Sequence, residues 1–221
     1  MKENTIILFD LDGTLIDSTD AIVSTFYHSF KVMNYDFKGN DEDIKNLIGY
    51  PLNVMYKELG IEESKTWDFV DAYKNRYKVI STKKTKLLEN AIEAVKLASS
   101  IARVSIVTTK TRKYTIPLLE HLELIEHFEI VTGYECVENH KPHPEPILKT
   151  LNDMSIDNIH ENIWMIGDTK LDLIAAKNAN VKSIGVLCGY GSEKELFEHT
   201  NIVKKDALDA ILHIKNSHSL T

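Results

Sequence analysis

Two aspartates near the start of the chain, Asp10 and Asp12, are the residues best suited to chemistry. They follow the apolar run at 6–9, and a short apolar run bounded by turn residues is typical of a strand buried on both faces. In open α/β sheets, ligands bind at the carboxyl ends of such strands. Two neighbouring carboxylates are costly without a cation, so the pair predicts a hard metal such as Mg2+, which takes oxygen ligands. The alternative is an ordinary turn with an aspartate that caps the next helix.

The composition is typical of a globular protein. The chain has 221 residues, of which 43% are hydrophobic and 27% are charged, and this length suits one large domain or two small ones. A net charge of −7 argues against a broad nucleic-acid surface. No segment is long enough to span a membrane, and the first residues do not resemble a signal peptide. We therefore expect a cytoplasmic protein with reduced cysteines, Cys136 and Cys188, whereas the sequence does not indicate its oligomeric state.

The middle of the chain changes from helices to alternating strands and helices. Apolar stripes predict only helices from 16 to 83, at 17–34, 41–47, 51–60 and 64–79, the first of them capped by Asp17 and Ser18. Strands are predicted at 104–107, 128–131, 163–166, 181–187 and 202–203, with helices between most of them. This alternation predicts an α/β fold with a doubly wound parallel sheet, similar to a Rossmann fold. The predicted core is 1–15 and 84–221, and the inserted all-helical domain is 16–83.

Polar clusters follow three more of the predicted elements. Thr108 and Thr109 end a strand, Lys141 lies in a proline-flanked loop, and Asp168 ends another strand one helical turn before Asp172. Each cluster has an ordinary interpretation as a helix cap or a solvated side chain. Right-handed crossovers, however, place all the strand carboxyl ends on one side of a parallel sheet. The clusters are therefore expected to meet at one pocket, where a helix start can bind an anion.

The same clusters resemble the four motifs of the haloacid dehalogenase-like hydrolases, in the order that the family has them. Residues 10–18 match the pattern Asp-x-Asp-Gly-Thr-Leu-x-Asp-Ser. Thr108 matches the second motif, Lys141 occurs in the Lys-Pro-x-Pro setting of the third, and Asp168 with Asp172 matches the fourth. Thr109 departs from the Asn that is common in close relatives. The helical insertion resembles the cap of the phosphoglycolate-phosphatase-like branch.

The resemblance implies a Mg2+-dependent phosphatase that hydrolyses a small phosphomonoester through an aspartyl-phosphate intermediate. Asp10 would be the nucleophile, Asp12 the general acid and base, and Lys141 the cation that offsets their negative charge. An acid at position 12 favours phosphoryl transfer over attack on carbon. The implied metal ligands are Asp10, Asp12 through its carbonyl, Asp168 and Asp172. The implied substrate contacts are Thr14, Thr108 and Thr109, with Tyr50 and Arg76 as further candidates from the cap.

Two other functions are compatible with these motifs. A phosphosugar mutase of the beta-phosphoglucomutase type would use the same site for transfer, but its cap should offer basic residues to a second phosphate. Arg76 is the only arginine between 16 and 83, which makes such a clamp a weaker hypothesis. A catalytically idle binding module is the other alternative. Phosphoglycolate, pyrophosphate, a nucleotide and a sugar phosphate all remain candidate substrates, so the expected partner is a small phosphorylated metabolite.

Overall fold

A six-stranded parallel sheet forms the centre of the protein. The structure, a computed structural model, describes residues 4–156, 158–159 and 162–217; the ends of the predicted core, 1–3 and 218–221, lie outside them. The strands, in chain order, are β1 Ile6–Phe9, β2 Ile16–Asp17, β3 Lys86–Leu87, β4 Arg103–Val107, β5 Val131–Thr132, β6 Ile163–Gly167, β7 Lys182–Val186 and β8 Val203–Lys204. The sheet has the order β5-β4-β1-β6-β7-β8, and β2 pairs separately with β3. The strand order therefore changes direction at β1, which places a topological switch point beside Asp10.

Helices fill the connections between these strands. In chain order they are α1 Thr19–Val32, α2 Asp41–Lys45, α3 Leu52–Glu58, α4 Thr66–Lys84, α5 Ala91–Ile101, α6 Arg112–His121, α7 Glu145–Asp153, α8 Lys170–Asn178, α9 Glu193–Phe197 and α10 Ala207–Ser217. Short 3-10 helices lie at Glu63–Lys65, Ile125–His127 and Tyr134–Cys136. Within the described ranges, no helix combines the length and the apolar character needed to cross a membrane.

Helices cover both faces of the sheet. Successive side chains of a strand point to opposite faces, so the residues of β1 are divided between the two sides. Ile7 and Phe9 of β1 pack into one hydrophobic cluster with residues of α5, α6 and α10. Ile6 and Leu8 point the other way, into a second cluster with residues of α7 and α8. The prediction of a doubly wound parallel sheet is confirmed.

Helices α1 to α4 have a hydrophobic core of their own, and we call Thr19–Lys84 the helical unit. Its cluster includes the predicted stripe of Ile22, Phe26 and Phe30 on α1. Aromatic rings provide much of the contact: the Phe26 and Tyr56 ring centroids lie 4.6 Å apart. Such rings bury large apolar areas, so the four helices pack on one another around a hydrophobic cluster distinct from those of the sheet.

Two short antiparallel strands connect the helical unit to the rest of the chain. Ile16 pairs with Leu87 and Asp17 pairs with Lys86, so the two connections lie side by side. The sequence analysis did not predict these strands because two residues are too short to show a period.

Three predicted features differ from the structure. The strand predicted at 128–131 is only Val131–Thr132, because the Ile130 N–H donates to the Ser105 hydroxyl at 3.2 Å instead of to a strand carbonyl. Helices α9 and α10 were not predicted. The expected capping by Ser18 is wrong, because the Ser18 side chain makes no cap hydrogen bond and donates instead to Asp12.

Candidate active site

The polar residues that follow the strands meet at the carboxyl end of the sheet. Asp10 follows β1, Thr108 follows β4 and Asp168 follows β6. The Asp10 N–H donates to the Ile166 carbonyl at 2.9 Å, which extends the pairing of β1 and β6 by one residue. The backbone of the sheet therefore fixes where the Asp10 side chain begins.

Lys141 lies at the centre of this group and is only 4% exposed. Its ammonium group donates to Asp10 Oδ1 at 2.7 Å, to the Val107 carbonyl at 3.1 Å and to Asp172 Oδ1. Burial favours the neutral amine and lowers the pKa of Lys141, but the Asp10 and Asp172 carboxylates outweigh it and hold the pKa above its usual value. Lys141 is therefore a charged, fixed cation that joins two acids.

Asp172 is held by the start of helix α8. Thr169 and Asp172 form a capping box, in which Asp172 Oδ2 accepts hydrogen bonds from the Thr169 N–H at 3.1 Å and hydroxyl at 2.8 Å. Its other oxygen accepts from Lys141. Both carboxylate oxygens are thus engaged, and Asp172 orients Lys141 as well as contributing negative charge.

Asp168 is fixed by donors from two loops. Its Oδ1 accepts from the Thr14 hydroxyl at 3.0 Å, and its Oδ2 accepts from the Tyr190 N–H at 2.8 Å. Both loops approach so closely that only glycine fits beside the carboxylate. A Cβ on Gly13, which has φ +85°, would lie 2.3 Å from Asp168 Oδ2, and one on Gly189 would lie 2.0 Å from the same atom.

Three buried acids form a candidate cation site. Carboxylate oxygens of Asp10, Asp168 and Asp172 all lie within 4.8 Å of one another. Burial raises the pKa of Asp10 to about 7, although Lys141 lowers it. Burial also raises the pKa of Asp168 well above its usual range, and Asp10 and Asp172 add to the rise. A bound cation would favour the charged carboxylates, so the residues present fit a hard divalent ion with oxygen ligands.

The carboxylate of Asp12 turns away from these three acids. It accepts a hydrogen bond from the Ser18 hydroxyl and forms an ion pair with Lys110, whose Nζ lies 3.1 Å from Asp12 Oδ2. Lys110 also donates to the Tyr77 hydroxyl at 2.9 Å and lies 4.6 Å from the centre of that ring. Asp12 is therefore held between the core and helix α4.

A cleft opens beside Asp12, between the helical unit and the core. Among the sequence-predicted contacts, Tyr50 and Thr109 line it, and the Thr109 hydroxyl donates to the Gly49 carbonyl at 2.8 Å. Thr108 is buried, and its hydroxyl accepts from the Lys110 N–H at 3.1 Å. Arg76 is exposed on α4 and lies outside the described lining, where Lys74 takes a place instead.

Three residues that the structure places at the site had no role there predicted from the sequence. Ser18 and Lys110 hold Asp12, and Tyr190 holds Asp168 through its backbone. Ser18 belongs to the first motif and Lys110 directly follows Thr109, so proximity to motif residues was an available signal. Tyr190 lies in a glycine-flanked turn that fits a plain turn as well as the rim of a site, because its contact depends on where the loop after β7 meets β6.

Comparison with known proteins identifies the family. The sequence model of the haloacid dehalogenase-like hydrolases matches residues 7–186. A relative named Pyrophosphatase PpaX, from Halalkalibacterium halodurans, is 35% identical over 88% of this chain and 87% of its own. A haloacid dehalogenase-like hydrolase structure from Bacteroides fragilis superposes with TM-score 0.87 at 26% identity, over 93% of this chain and 99% of that one. A predicted phosphoglycolate phosphatase from Haemophilus somnus gives TM-score 0.85 at 22% identity, over 96% and 97%.

The chain belongs to the haloacid dehalogenase-like hydrolase family. The predicted class of enzyme, a phosphatase of this family, is confirmed at that level. The four motifs quoted from the sequence meet at one edge of the sheet. The catalytic roles of individual residues stay predictions.

Proposed function

We propose that the protein is a Mg2+-dependent phosphatase that hydrolyses a small phosphomonoester in the cytoplasm. The observation that supports this most directly is the pairing of Asp10 with the buried Lys141, beside the acids Asp168 and Asp172. A carboxylate nucleophile, a fixed cation and a cation site are then within a few ångströms of one another, as phosphoryl transfer requires.

The proposed reaction has two steps that use the same two aspartates. An oxygen of Asp10 attacks phosphorus, the bond to the leaving oxygen breaks, and Asp12 gives that oxygen a proton. Asp12 then takes a proton from water, which attacks the aspartyl phosphate, releases phosphate and restores Asp10. A covalent intermediate divides one difficult displacement into two easier ones.

The other residues position these groups and the phosphoryl oxygens. Lys141 holds Asp10 and offsets negative charge, while the Thr108 hydroxyl, at the end of β4, is suited to bind the phosphoryl group. Asp10, Asp168 and Asp172 would hold Mg2+ with the Asp12 carbonyl. When bound there, Mg2+ would neutralise charge on the transferring group.

We further propose that residues 16–83, which include all of the helical unit except Lys84, form a cap, with the core at 1–15 and 84–221. Its separate hydrophobic cluster and its attachment through β2 and β3 support this division. The cap would cover the site and exclude bulk water during the reaction.

Two substrates compete under this proposal. The resemblance favours a phosphoglycolate-like metabolite, whereas the named pyrophosphatase relative makes inorganic pyrophosphate a second candidate. A sugar bisphosphate, as a mutase would need, is less well supported because the described lining of the cleft contains no arginine.

Hydrolysis of 4-nitrophenyl phosphate with and without Mg2+ tests the proposal. We expect Asp10→Asn and removal of Mg2+ by a chelator each to abolish phosphate release, while Asp153→Asn, at an exposed ion pair on α7, leaves it unchanged. Turnover that persists in Asp10→Asn would refute the aspartyl-phosphate mechanism.

A further inference from the structure

The cleft beside Asp12 is lined mainly by apolar and aromatic side chains. Its aromatic members, from both the helical unit and the core, are Tyr50, Trp67, Tyr73, Tyr77, Tyr114 and Tyr134. Aliphatic side chains such as Ile22, Met55 and Val70 complete the wall. The space open to the centres of water-sized spheres is about 70 Å3, several times the roughly 10–15 Å3 that a single water needs. Aromatic walls of this kind favour flat apolar groups.

The charges around the cleft do not suit an anionic leaving group. Within the described lining, the charged side chains are Asp12, Lys74 and Lys110. Lys110 is already paired with Asp12, so Lys74 is the one cation left to meet a carboxylate or a second phosphate. Lys74 lies near the Trp67 ring, with Nζ 6.0 Å from the ring centre. One half-buried lysine is a weak clamp for pyrophosphate beside so much apolar surface.

The position of the cleft identifies which part of a substrate would enter it. Asp12, the proposed proton donor to the leaving oxygen, lies in its wall, whereas Lys141 and the acid cluster hold the phosphoryl side. A phosphomonoester bound across the two would therefore place its leaving group in the cleft.

We infer that the cleft binds an apolar, ring-bearing leaving group, so that the preferred substrate is the phosphate monoester of an aromatic alcohol. This inference rests on the proposed phosphatase function and narrows its substrate class. It disfavours phosphoglycolate and pyrophosphate, whose leaving groups are small and anionic.

The test compares 2-phenylethyl phosphate with ethyl phosphate, which leave as similar primary alcohols and differ in the ring. Burying a phenyl ring should raise kcat/KM at least about tenfold over ethyl phosphate. Phosphoglycolate and pyrophosphate, measured alongside, should be poorer substrates than the phenylethyl ester. Equal values for the two esters, or a higher value for either anion, would overturn the inference while leaving the phosphatase function intact.

Variants of the wall show whether the ring occupies the cleft. Trp67 is 53% exposed, so Trp67→Ala should fold and should reduce the phenylethyl preference; Leu52→Asn, at another half-buried lining position, should do the same. Val79→Ala is the matched control, since Val79 is 56% exposed on the same helix and lies outside the described lining. A preference that survives both wall variants would contradict the inference.

A binding measurement distinguishes this inference from the proposed function. In Asp10→Asn with Mg2+, calorimetry should show 2-phenylethyl phosphate bound more tightly than ethyl phosphate, again by about tenfold. Tighter binding without any turnover by the wild type would refute the phosphatase mechanism and support the cleft. Turnover without this difference in binding would support the phosphatase mechanism and refute the inference about the cleft.

Discussion

At the scale of single residues, the site depends on one buried cation. Lys141 offsets the negative charge of Asp10 and Asp172. In these buried surroundings, the charged form of each carboxylate would otherwise be strongly disfavoured. We predict that Lys141→Ala lowers kcat at least about 100-fold and destabilises the fold by about 3–5 kcal/mol, because buried carboxylates lose their partner. Phosphate release and urea unfolding measure the two effects.

The control for Lys141 is Lys149, whose pair with Asp153 is partly exposed. Lys149→Ala should change the free energy of unfolding by less than about 1 kcal/mol and should leave kcat unchanged. If Lys141→Ala behaved like Lys149→Ala, the central position given to Lys141 would be wrong.

Ser18 is a second residue with a specific role, because its hydroxyl donates to the Asp12 carboxylate. We predict that Ser18→Ala lowers kcat roughly tenfold, the usual value of a hydrogen bond to a charged group, since Asp12 loses one of the donors that orient it. Steady-state kinetics measure the change. Ser24→Ala is the control, because the Ser24 hydroxyl donates to carbonyls of its own helix and accepts from the Lys84 ammonium at 3.3 Å, and Asp12 is not among these partners. Equal kinetics in both variants would exclude a positioning role for Ser18.

The sequence could reveal the site's acids but not all of their partners. Asp10 and Asp168 were predictable because each follows an apolar strand in a recognisable motif, and Lys141 because its proline-flanked loop matches another motif. Lys110 was not assigned a role, since its pairing with Asp12 and Tyr77 requires α4 to pack over the core. Arg76 was a candidate substrate contact because of its charge alone. The geometry of α4 places Arg76 on the exposed side of the helix, whereas Tyr73 and Tyr77 face inward.

At the scale of elements, the turn after β1 must be glycine for two reasons. Gly13 has a positive φ of +85°, and a Cβ there would collide with Asp168. We predict that Gly13→Ala displaces Asp168 and reduces activity at least about tenfold, in addition to a backbone cost of about 1 kcal/mol. Kinetics at saturating Mg2+, together with thermal unfolding, measure both.

Gly60 provides a matched control for Gly13. It also has a positive φ, +90°, but its nearest neighbour is the Tyr35 hydroxyl, within the helical unit. Gly60→Ala should lower stability by about 1 kcal/mol and leave kcat of the folded enzyme unchanged. Loss of activity in both variants alike would mean that the effect at Gly13 is general unfolding.

Most core elements were predictable from local patterns, and the exceptions have physical causes. Strand β1 and residues 163–166 of β6 are continuous apolar runs, as burial on both faces requires, whereas β4 and β7 each begin with a basic residue and contain a serine among their apolar residues. The Ser105 hydroxyl interrupts the pairing at Ile130, a side-chain competition that periodicity does not show. Helix α10 was not predicted, although it packs against α5 on the first face of the sheet.

At the scale of the whole molecule, the acid cluster couples metal binding to stability. A ligand that binds only the folded state stabilises it, by about 2.7 kcal/mol at 100 times its Kd. We predict that Mg2+ raises the Tm of the protein and that a chelator reverses the rise. Calorimetric unfolding with and without Mg2+ measures it.

Asp168→Asn should remove most of this stabilisation, since it takes one carboxylate from the cluster. Asp153→Asn, at an exposed acid on α7, should retain it. A Mg2+-dependent rise of the same size in both variants would place the ion elsewhere.

The paired strands β2 and β3 bring both ends of the helical unit to neighbouring points, Ile16 beside Leu87 and Asp17 beside Lys86. An insertion whose two ends nearly touch can be exchanged for another of different size without altering the register of the sheet. Evolution could therefore insert a different domain at this junction while the residues at the carboxyl end of the sheet kept their places. Chimeras spliced at Asp17 and Lys86 would use the same property in the laboratory.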